Sequence, residues 1–427
     1  MNQFIEYRRE FHHYPELGWR EMRTSARVAE ILEGMGYRCL MGDEVVKVES
    51  IDFEMLSDEE KKAEMERAVA QGANPDYVKR TNGYPGVICE LDTGKEGPVT
   101  AFRFDIDCLP YDEPQKEGFR PFDEGYISCN AGCVHACGHD AHTAIGLGLA
   151  YELMQRKDKL KGKMRIIFQP AEETYNGAHS IVDKGHLDDV KNFISVHMAL
   201  TAEGWPLPSN TIACGCKDFL SDDQIDVTFH GKAAHPCGAS QEGKNALLAA
   251  CTAALNLHAI APHEEGLCRV NVGILNAGVV ANTIAPNAFM SVEYRGQTRT
   301  IADYARKRVF DILDGAAKAY DMEYTYVDFG EIPAAKSSDE IMEVVERAAK
   351  KVSWFEKVYF EGNVGGTDDA SVMINKVQDN GGIATYVGIG CDTTQTLHNA
   401  EFDLDENSIP AAIEMLTYAT EELNGIV

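Results

Sequence analysis

The sequence predicts an α/β protein in two parts, a larger domain whose central sheet is flanked by helices and a smaller ferredoxin-like domain inserted into it. Three observations carry this. Short apolar runs of strand composition alternate with amphipathic helical stretches through the first half of the chain. Between residues 219 and 330 the order becomes strand, helix, strand, strand, helix, strand, the split βαββαβ unit. After that segment the earlier alternation resumes, so residues 1–218 and 331–427 form one discontinuous domain around the insertion. A chain of 427 residues also exceeds what one apolar core usually fills.

Two helical patterns open the chain, at residues 2–13 and 21–34, parted by Tyr14, Pro15, Glu16, Leu17 and Gly18, whose Pro and Gly break the period. Residues 57–71, SDEEKKAEMERAVAQ, have a capping Ser and strong helix formers but polar residues on most faces, which predicts an exposed, inserted helix. Strands follow at 87–91, 99–104, 164–168 and 193–196, with a helix at 141–155 among them. The insertion has strands at 224–229, 269–275, 288–294 and 323–329 and helices at 245–260 and 301–319. Helices at 339–352, 369–375 and 406–423 and a strand at 384–389 complete the larger domain.

Acidic residues outnumber basic ones by 68 to 40, a formal charge of −28. Such a chain repels phosphate backbones and anionic lipid, and no basic stripe offsets the repulsion, so neither nucleic acid nor a membrane surface is expected as a partner. A small anionic substrate is compatible, because a few local Arg, His or metal charges outweigh a distant, screened field. No uncharged apolar run reaches the roughly 18 residues of a membrane span, and residues 1–11 lack the apolar core of an export signal. Twelve scattered cysteines then read as unpaired thiols or metal ligands in a reducing compartment, which predicts the cytoplasm.

The densest chemical signal is the run CNAGCVHACGHDAH, which holds Cys129, Cys133, His135, Cys137, His139, Asp140 and His142 where the helix at 141–155 begins. Thiolate and imidazole suit borderline-soft metals, and Gly138 lets Cys137 and His139 fold toward one ion with Asp140 as an acidic neighbour. A closed structural zinc knot is the competing reading, but Cys-x3-Cys-x3-Cys fits paired Cys-x2-Cys knuckles poorly. Gln169, Pro170, Ala171, Glu172 and Glu173 follow the strand at 164–168. Adjacent side chains diverge in extended chain, so Glu173 can bind metal while Glu172 faces the attacking water. Taken alone, most Glu-Glu pairs are solvated acidic turns.

His197 closes the strand at 193–196 and His398 stands in TLHNAE. A lone histidine in such a place is more often a hydrogen-bonded structural residue. Asp105 and Asp107 end the strand at 99–104 with both carboxylates on one face, and Asp107 is the stronger candidate for orienting ligands. Arrangement decides the matter: Asp105, Asp107, Glu172, Glu173 and His197 all lie at or beyond the C-terminal ends of strands, the edge where open α/β sheets hold ligands. In the insertion His235 follows the first strand, and Asn282 and Arg295 lie on a later loop and strand. His and Asn donate to a developing oxyanion and Arg grips a carboxylate. Equally, Arg295 reads as one residue of a polar strand face with Ser291 and Glu293.

The motifs RREFHHYPELGW, FRFDIDCLP, HACGHDAHT, FQPAEE, VHM, HGKAAHP and LHNAEF span nearly the whole chain and resemble the aminoacylase and carboxypeptidase G family of metallo-amidohydrolases, in the branch of hippurate hydrolase and auxin-conjugate hydrolases. The resemblance implies a metal-binding catalytic domain on a mixed sheet and an inserted lid or dimerisation domain. It implies hydrolysis of the amide bond of small N-acyl amino acids with two divalent ions, zinc or manganese, in a homodimer or in a heteromer with a related subunit. It makes Cys137, His139, Glu173, His197 and His398 the ligands, Cys137 standing where many relatives have a bridging Asp. Glu172 becomes the general base, His235, Asn282 and Arg295 the substrate residues, with Gly366 on the glycine-rich substrate loop and His235 often serving the site of the partner; Asp107, read from its place at the strand end, joins Glu172 as a catalytic residue that orients the ligands. A hippurate-type aminoacylase, a dipeptidase and a non-catalytic partner subunit stay open, the last opposed by the intact ligand set. The loop from Gly365 through Gly366, Thr367 and Asp368 to Asp369 departs from the usual Gly-Ser/Thr-Glu-Asp of relatives.

Overall fold

The structure, a computed structural model, describes residues 2–51 and 56–425. They divide into two compact units, one of residues up to Lys217 and from Lys336 onward, the other Asp218–Ala335.

In the first unit, helices α1 (Asn2–His13) and α2 (Met22–Gly34) precede a short strand β1 (Cys39–Met41). Helix α3 (Asp58–Ala70) begins at a reciprocal cap, with Glu60 N donating to the Ser57 hydroxyl and Ser57 N donating to the Glu60 carboxylate. Helix α4 (Pro75–Thr81) has only seven residues, too few to leave a periodic signal in the sequence. Strands β2 (Val87–Asp92) and β3 (Val99–Asp105) are followed by α5 (Arg120–Asp123) and α6 (His139–Gln155), then by β4 (Lys163–Gln169), α7 (Gly177–Asp183) and β5 (Asn192–Met198). The two-residue strands β6 (Thr201–Ala202) and β7 (Trp205–Pro206) pair with each other, and β8 (Thr211–Ala213) follows.

The second unit runs β9 (Asp222–His230), α8 (Ala246–Leu257), β10 (Cys268–Ala277), β11 (Asn287–Gly296), α9 (Arg299–Ala319) and β12 (Glu323–Ile332). The first unit resumes with α10 (Asp339–Ala349), β13 (Lys357–Tyr359), α11 (Ala370–Asp379), β14 (Ile383–Ile389) and α12 (Ser408–Asn424).

The eight-stranded mixed sheet of the first unit has the order β1-β2-β4-β3-β5-β14-β8-β13. Its centre, β4, β3, β5 and β14, is parallel, so these strands deliver their C-terminal residues to one rim, with Asp105 beside Gln169 and His197 beside Gly388. Phe102, Phe104, Phe168 and Ile194 fill the core beneath that rim. Helix α6 is pressed against it through glycine. A Cβ on Gly146 would lie 2.6 Å from Phe104, and one on Gly148 would overlap Ile413 of α12. That close approach fixes where the first turn of α6, with His139 and His142, meets the rim.

In the second unit all pairings are antiparallel in the order β10-β11-β9-β12, the ferredoxin-like arrangement of a βαββαβ unit. Ile225, Val227, Phe229, Met290 and Val292 alternate inward against Leu257, Val309 and Leu313 of its two helices. Strand β12 passes residue 330, where composition suggested a boundary, because Gly330 at φ 89° is taken up by a register shift between Asp328 and Glu331. No disulfide joins cysteines among the described residues, and no helix among them is long and apolar enough to cross a membrane.

Asp223 on β9 gives this unit a pH signature. Both its carboxylate oxygens are buried without a hydrogen-bond partner, and Arg306 approaches only to 3.6 Å. Burial, then Glu331, pushes its pKa up to about 8. An unfolded Asp titrates near about 3.9. The folded chain therefore holds this proton where the unfolded chain has released it, so stability is lost as pH rises from about 4 to 8. Asp223→Asn is expected to raise stability by about 1–3 kcal/mol above pH 8. Denaturant midpoints of the two proteins across pH should converge toward pH 4; a gap independent of pH would contradict the assignment.

Candidate metal centre

The turns that leave the rim are tight. Ala171, Ala199 and His398 are non-glycine residues at φ 54°, 58° and 63°. Such a backbone costs an L residue about 1–3 kcal/mol and persists only where its surroundings fix it. Ala171 is fixed by Glu21, which accepts from Ala171 N at 2.7 Å, and by Gly177, where any Cβ would collide with the Pro170 carbonyl. The turn that results brings Glu172 and Glu173 to the rim beside His139.

Cys137 is central. Its Sγ lies 3.5 Å from His197 Nε2 and 3.5 Å from His398 Nε2. Glu173 approaches His398 at 3.6 Å and His139 at 3.9 Å, and Glu172 approaches His139 at 3.8 Å. Ligand atoms of Cys137, His139 and Glu173 are all within 4.8 Å of one another. His139 Nε2 and Glu173 Oε1 are buried without a hydrogen-bond partner. Sulfur, imidazole nitrogen and carboxylate oxygen gathered this closely, with buried polar atoms unsatisfied, fit a divalent cation.

The electrostatics agree. Burial disfavours charge on His139, yet Asp105, Asp107 and Glu173 outweigh it and push its pKa up to about 10. Burial, then Glu173 and Glu172, pushes the Cys137 thiol up. Burial also raises Glu172, and Asp368, Glu173 and Asp369 add to that against Arg103. The carboxylates thus draw a proton onto His139, where a bound cation would displace it.

A second layer holds these groups. Asp107 Oδ2 accepts from Glu173 N at 2.9 Å, and Asp107 Oδ1 lies 3.1 Å from His139 Nδ1. Asp105 has both oxygens engaged, one by Arg103 at 2.6 Å and one by His142 at 2.5 Å, which suits orientation rather than ligation. Asp140 meets Arg8 and His12, each at 2.7 Å, and accepts from Ala141 N. The opening RREFHH motif therefore anchors the residue next to His139. Cys129 and Cys133 join none of the metal-competent groups among the described residues, which removes the closed zinc knot. Sequence reasoning missed Arg103 and gave His142 no role of its own. Arg103 is fully buried and meets Asp105, Asp368 at 3.2 Å and Asp369 at 3.0 Å, below the loop that carries Gly366. A Cβ on Gly366 would meet nothing within 4 Å.

In the second unit His235 Nδ1 accepts from Cys237 N and Gly238 N at 3.2 and 3.0 Å, which leaves Nε2–H as its outward donor. The loop of Asn282 is tied to that of His235 by Ile284 N donating to Ala234 O. Arg295 is elsewhere, at the other end of β11, roughly 26 Å from Asn287 at about 3.3 Å per residue. It pairs with Asp222 at 2.8 Å and with Glu293, the polar strand face expected of the alternative reading.

Comparison with known proteins shows the family. Residues 101–422 match the model of Peptidase family M20/M25/M40. The chain is 40% identical to one subunit of p-aminobenzoyl-glutamate hydrolase of Escherichia coli (strain K12), over 97% of this chain and 96% of that protein. It is also 40% identical to indole-3-acetyl-aspartic acid hydrolase of Enterobacter agglomerans, over 97% of this chain and 94% of that one. The crystal structure of the aminobenzoyl-glutamate utilization protein from Klebsiella pneumoniae is similar at TM-score 0.78 and 35% identity, covering 98% of this chain and 96% of its own. The likeness first read from the motifs thus holds along the full fold, and the chain belongs to peptidase family M20/M25/M40 and is a hydrolase.

Proposed function

We propose that the chain hydrolyses the amide bond of small N-acyl amino acids at two divalent ions held by Cys137, His139, Glu173, His197 and His398. The observation that carries this reading is the single Cys137 sulfur at 3.5 Å from both His197 and His398, placed to serve two ions. When bound, such ions polarise the scissile carbonyl and acidify the attacking water, and mixed sulfur, nitrogen and oxygen donors suit zinc or manganese.

The residues of the chain do the rest. Glu172 takes the proton of the attacking water and returns it to the departing amine nitrogen. Asp107 keeps Glu173 and His139 aligned. His235 donates from Nε2 to the oxyanion, with Asn282 alongside, and Arg295 exchanges its internal carboxylates for the α-carboxylate of the substrate. Since Arg295 and the His235–Asn282 pair occupy opposite ends of one sheet, the reading gives them to different sites. In a homodimer the partner subunit's His235 completes the site. The relative from Escherichia coli is named as one subunit of its hydrolase, which supports pairing with a related second chain in the other assembly. Cysteines spread along the chain without a disulfide among the described residues suit the cytoplasm.

The names of the two relatives pair an aromatic acyl group with an acidic amino acid. Extended to this chain, they favour p-aminobenzoyl-glutamate, with indole-3-acetyl-aspartate as the second reading. The test is amino acid release from both, from hippurate and from dipeptides, by the chain loaded with zinc or manganese. The acidic substrates are expected to dominate, and Arg295→Met to raise their KM by about 10- to 100-fold with a smaller effect on kcat. Preference for hippurate or dipeptides would overturn the substrate class.

A further inference from the structure

We infer that His142 is a positioning residue that holds the imidazole of His197 in its ligating pose through the main chain of Met198. This rests on the reading of His197 as a metal ligand. The pairing of β3 with β5 stops at Arg103 and Ser195, and the Met198 amide, beyond it, donates to His142 Nε2 at 2.9 Å. A backbone N–H can only donate, so His142 Nε2 carries no proton and the ring proton resides on Nδ1. That proton goes to Asp105 Oδ1 at 2.5 Å, and the other oxygen of Asp105 is held by the buried Arg103 at 2.6 Å. The tautomer of His142 is thereby set from the core outward.

On its far side Met198 is gripped by the candidate ligand itself. His197 Nδ1 donates to Met198 O at 2.7 Å, which leaves His197 Nε2 as the bare nitrogen that faces Cys137. One residue is clamped between two imidazoles, with ring centroids 4.7 Å apart, and the next residue, Ala199, is in the left-handed region at φ 58°. Strand β14 holds the same segment, with Ala199 N donating to Ile389 O at 3.2 Å, so loss of the grip on Met198 N shifts the Met198 carbonyl, and the His197 ring with it, without unfolding the turn. Partners of this kind, one step removed from a ligand, change metal affinity by about 10- to 100-fold.

The experiment measures zinc binding to the full chain by competition with a chromophoric chelator, the visible spectrum of the cobalt-substituted chain, and the unfolding midpoint of the metal-free chain. His142→Met, which makes neither hydrogen bond, is expected to weaken one of two zinc ions by about 10- to 100-fold and to alter the cobalt spectrum. His142→Asn, which reaches Asp105 but not Met198, should behave like it. His142→Gln, whose amide oxygen reaches Met198 N, should recover much of the affinity although it loses the bond to Asp105. The inference is overturned if His142→Met binds both ions as tightly as the parent, or if affinity in the three variants merely follows their metal-free stability. Should His142→Met not fold, the Gln and Asn pair decides by the same criterion. A parent chain that binds no zinc would instead defeat the metal-centre reading.

Discussion

Glu172→Gln is expected to lower kcat by about 10²- to 10⁴-fold while metal content stays unchanged, because glutamine keeps the shape of the side chain but accepts no proton. The two adjacent glutamates are distinguished by what surrounds them. Glu173 lies between His139 and His398, and its backbone is pinned by Asp107, as suits a ligand. Glu172 is 5% exposed, reaches His139 at 3.8 Å and groups with Asp107, Asp368 and Asp369 but not with the Cys137 sulfur, as suits a group that handles a proton beside the ions. Steady-state kinetics with metal analysis of the same preparation check this. Near-normal turnover with metals bound would move the base elsewhere.

Cys137→Ala is expected to abolish activity and, because one sulfur serves two groups of ligands, to empty both metal positions at once. A bound ligand at a hundredfold its Kd stabilises a protein by about 2.7 kcal/mol, so zinc should raise the unfolding temperature of the parent and leave that of the variant unmoved. If the variant kept one tightly bound ion, the sharing of Cys137 would be wrong while the class of enzyme survived.

Much of this site was legible in the sequence because its chemistry recurs at strand ends. Asp105, Asp107, Glu172, Glu173 and His197 stand where apolar runs stop, and parallel strands bring such positions to one rim. The long helices and the alternating strands of the inserted unit were legible from their periods. Helix α7 and strands β8 and β13 were not, since seven or three residues carry too little periodicity.

Arg103 left a signal that went unread. In FRFDID it shares the face of Asp105 and Asp107 within an otherwise apolar strand, and a charge there needs buried partners. Two of those partners, Asp368 and Asp369, come from the far end of the chain, and only the fold reveals that they close over it. His142 was likewise visible as a second histidine one helical turn from His139. Its task depends on Met198, which nothing local announces. Arg295 shows the converse. Its pairing with Glu293, two residues away on the same strand face, was legible from alternation alone.

The most direct test of the account is the number of metal ions per chain. After complete removal by a chelator and titration with zinc, the parent chain is predicted to bind two ions tightly, and to bind them at pH 7 with restoration of amide hydrolysis. A chain that binds one ion or none, or that hydrolyses its substrate fully after chelation, would contradict the two-metal centre built around Cys137.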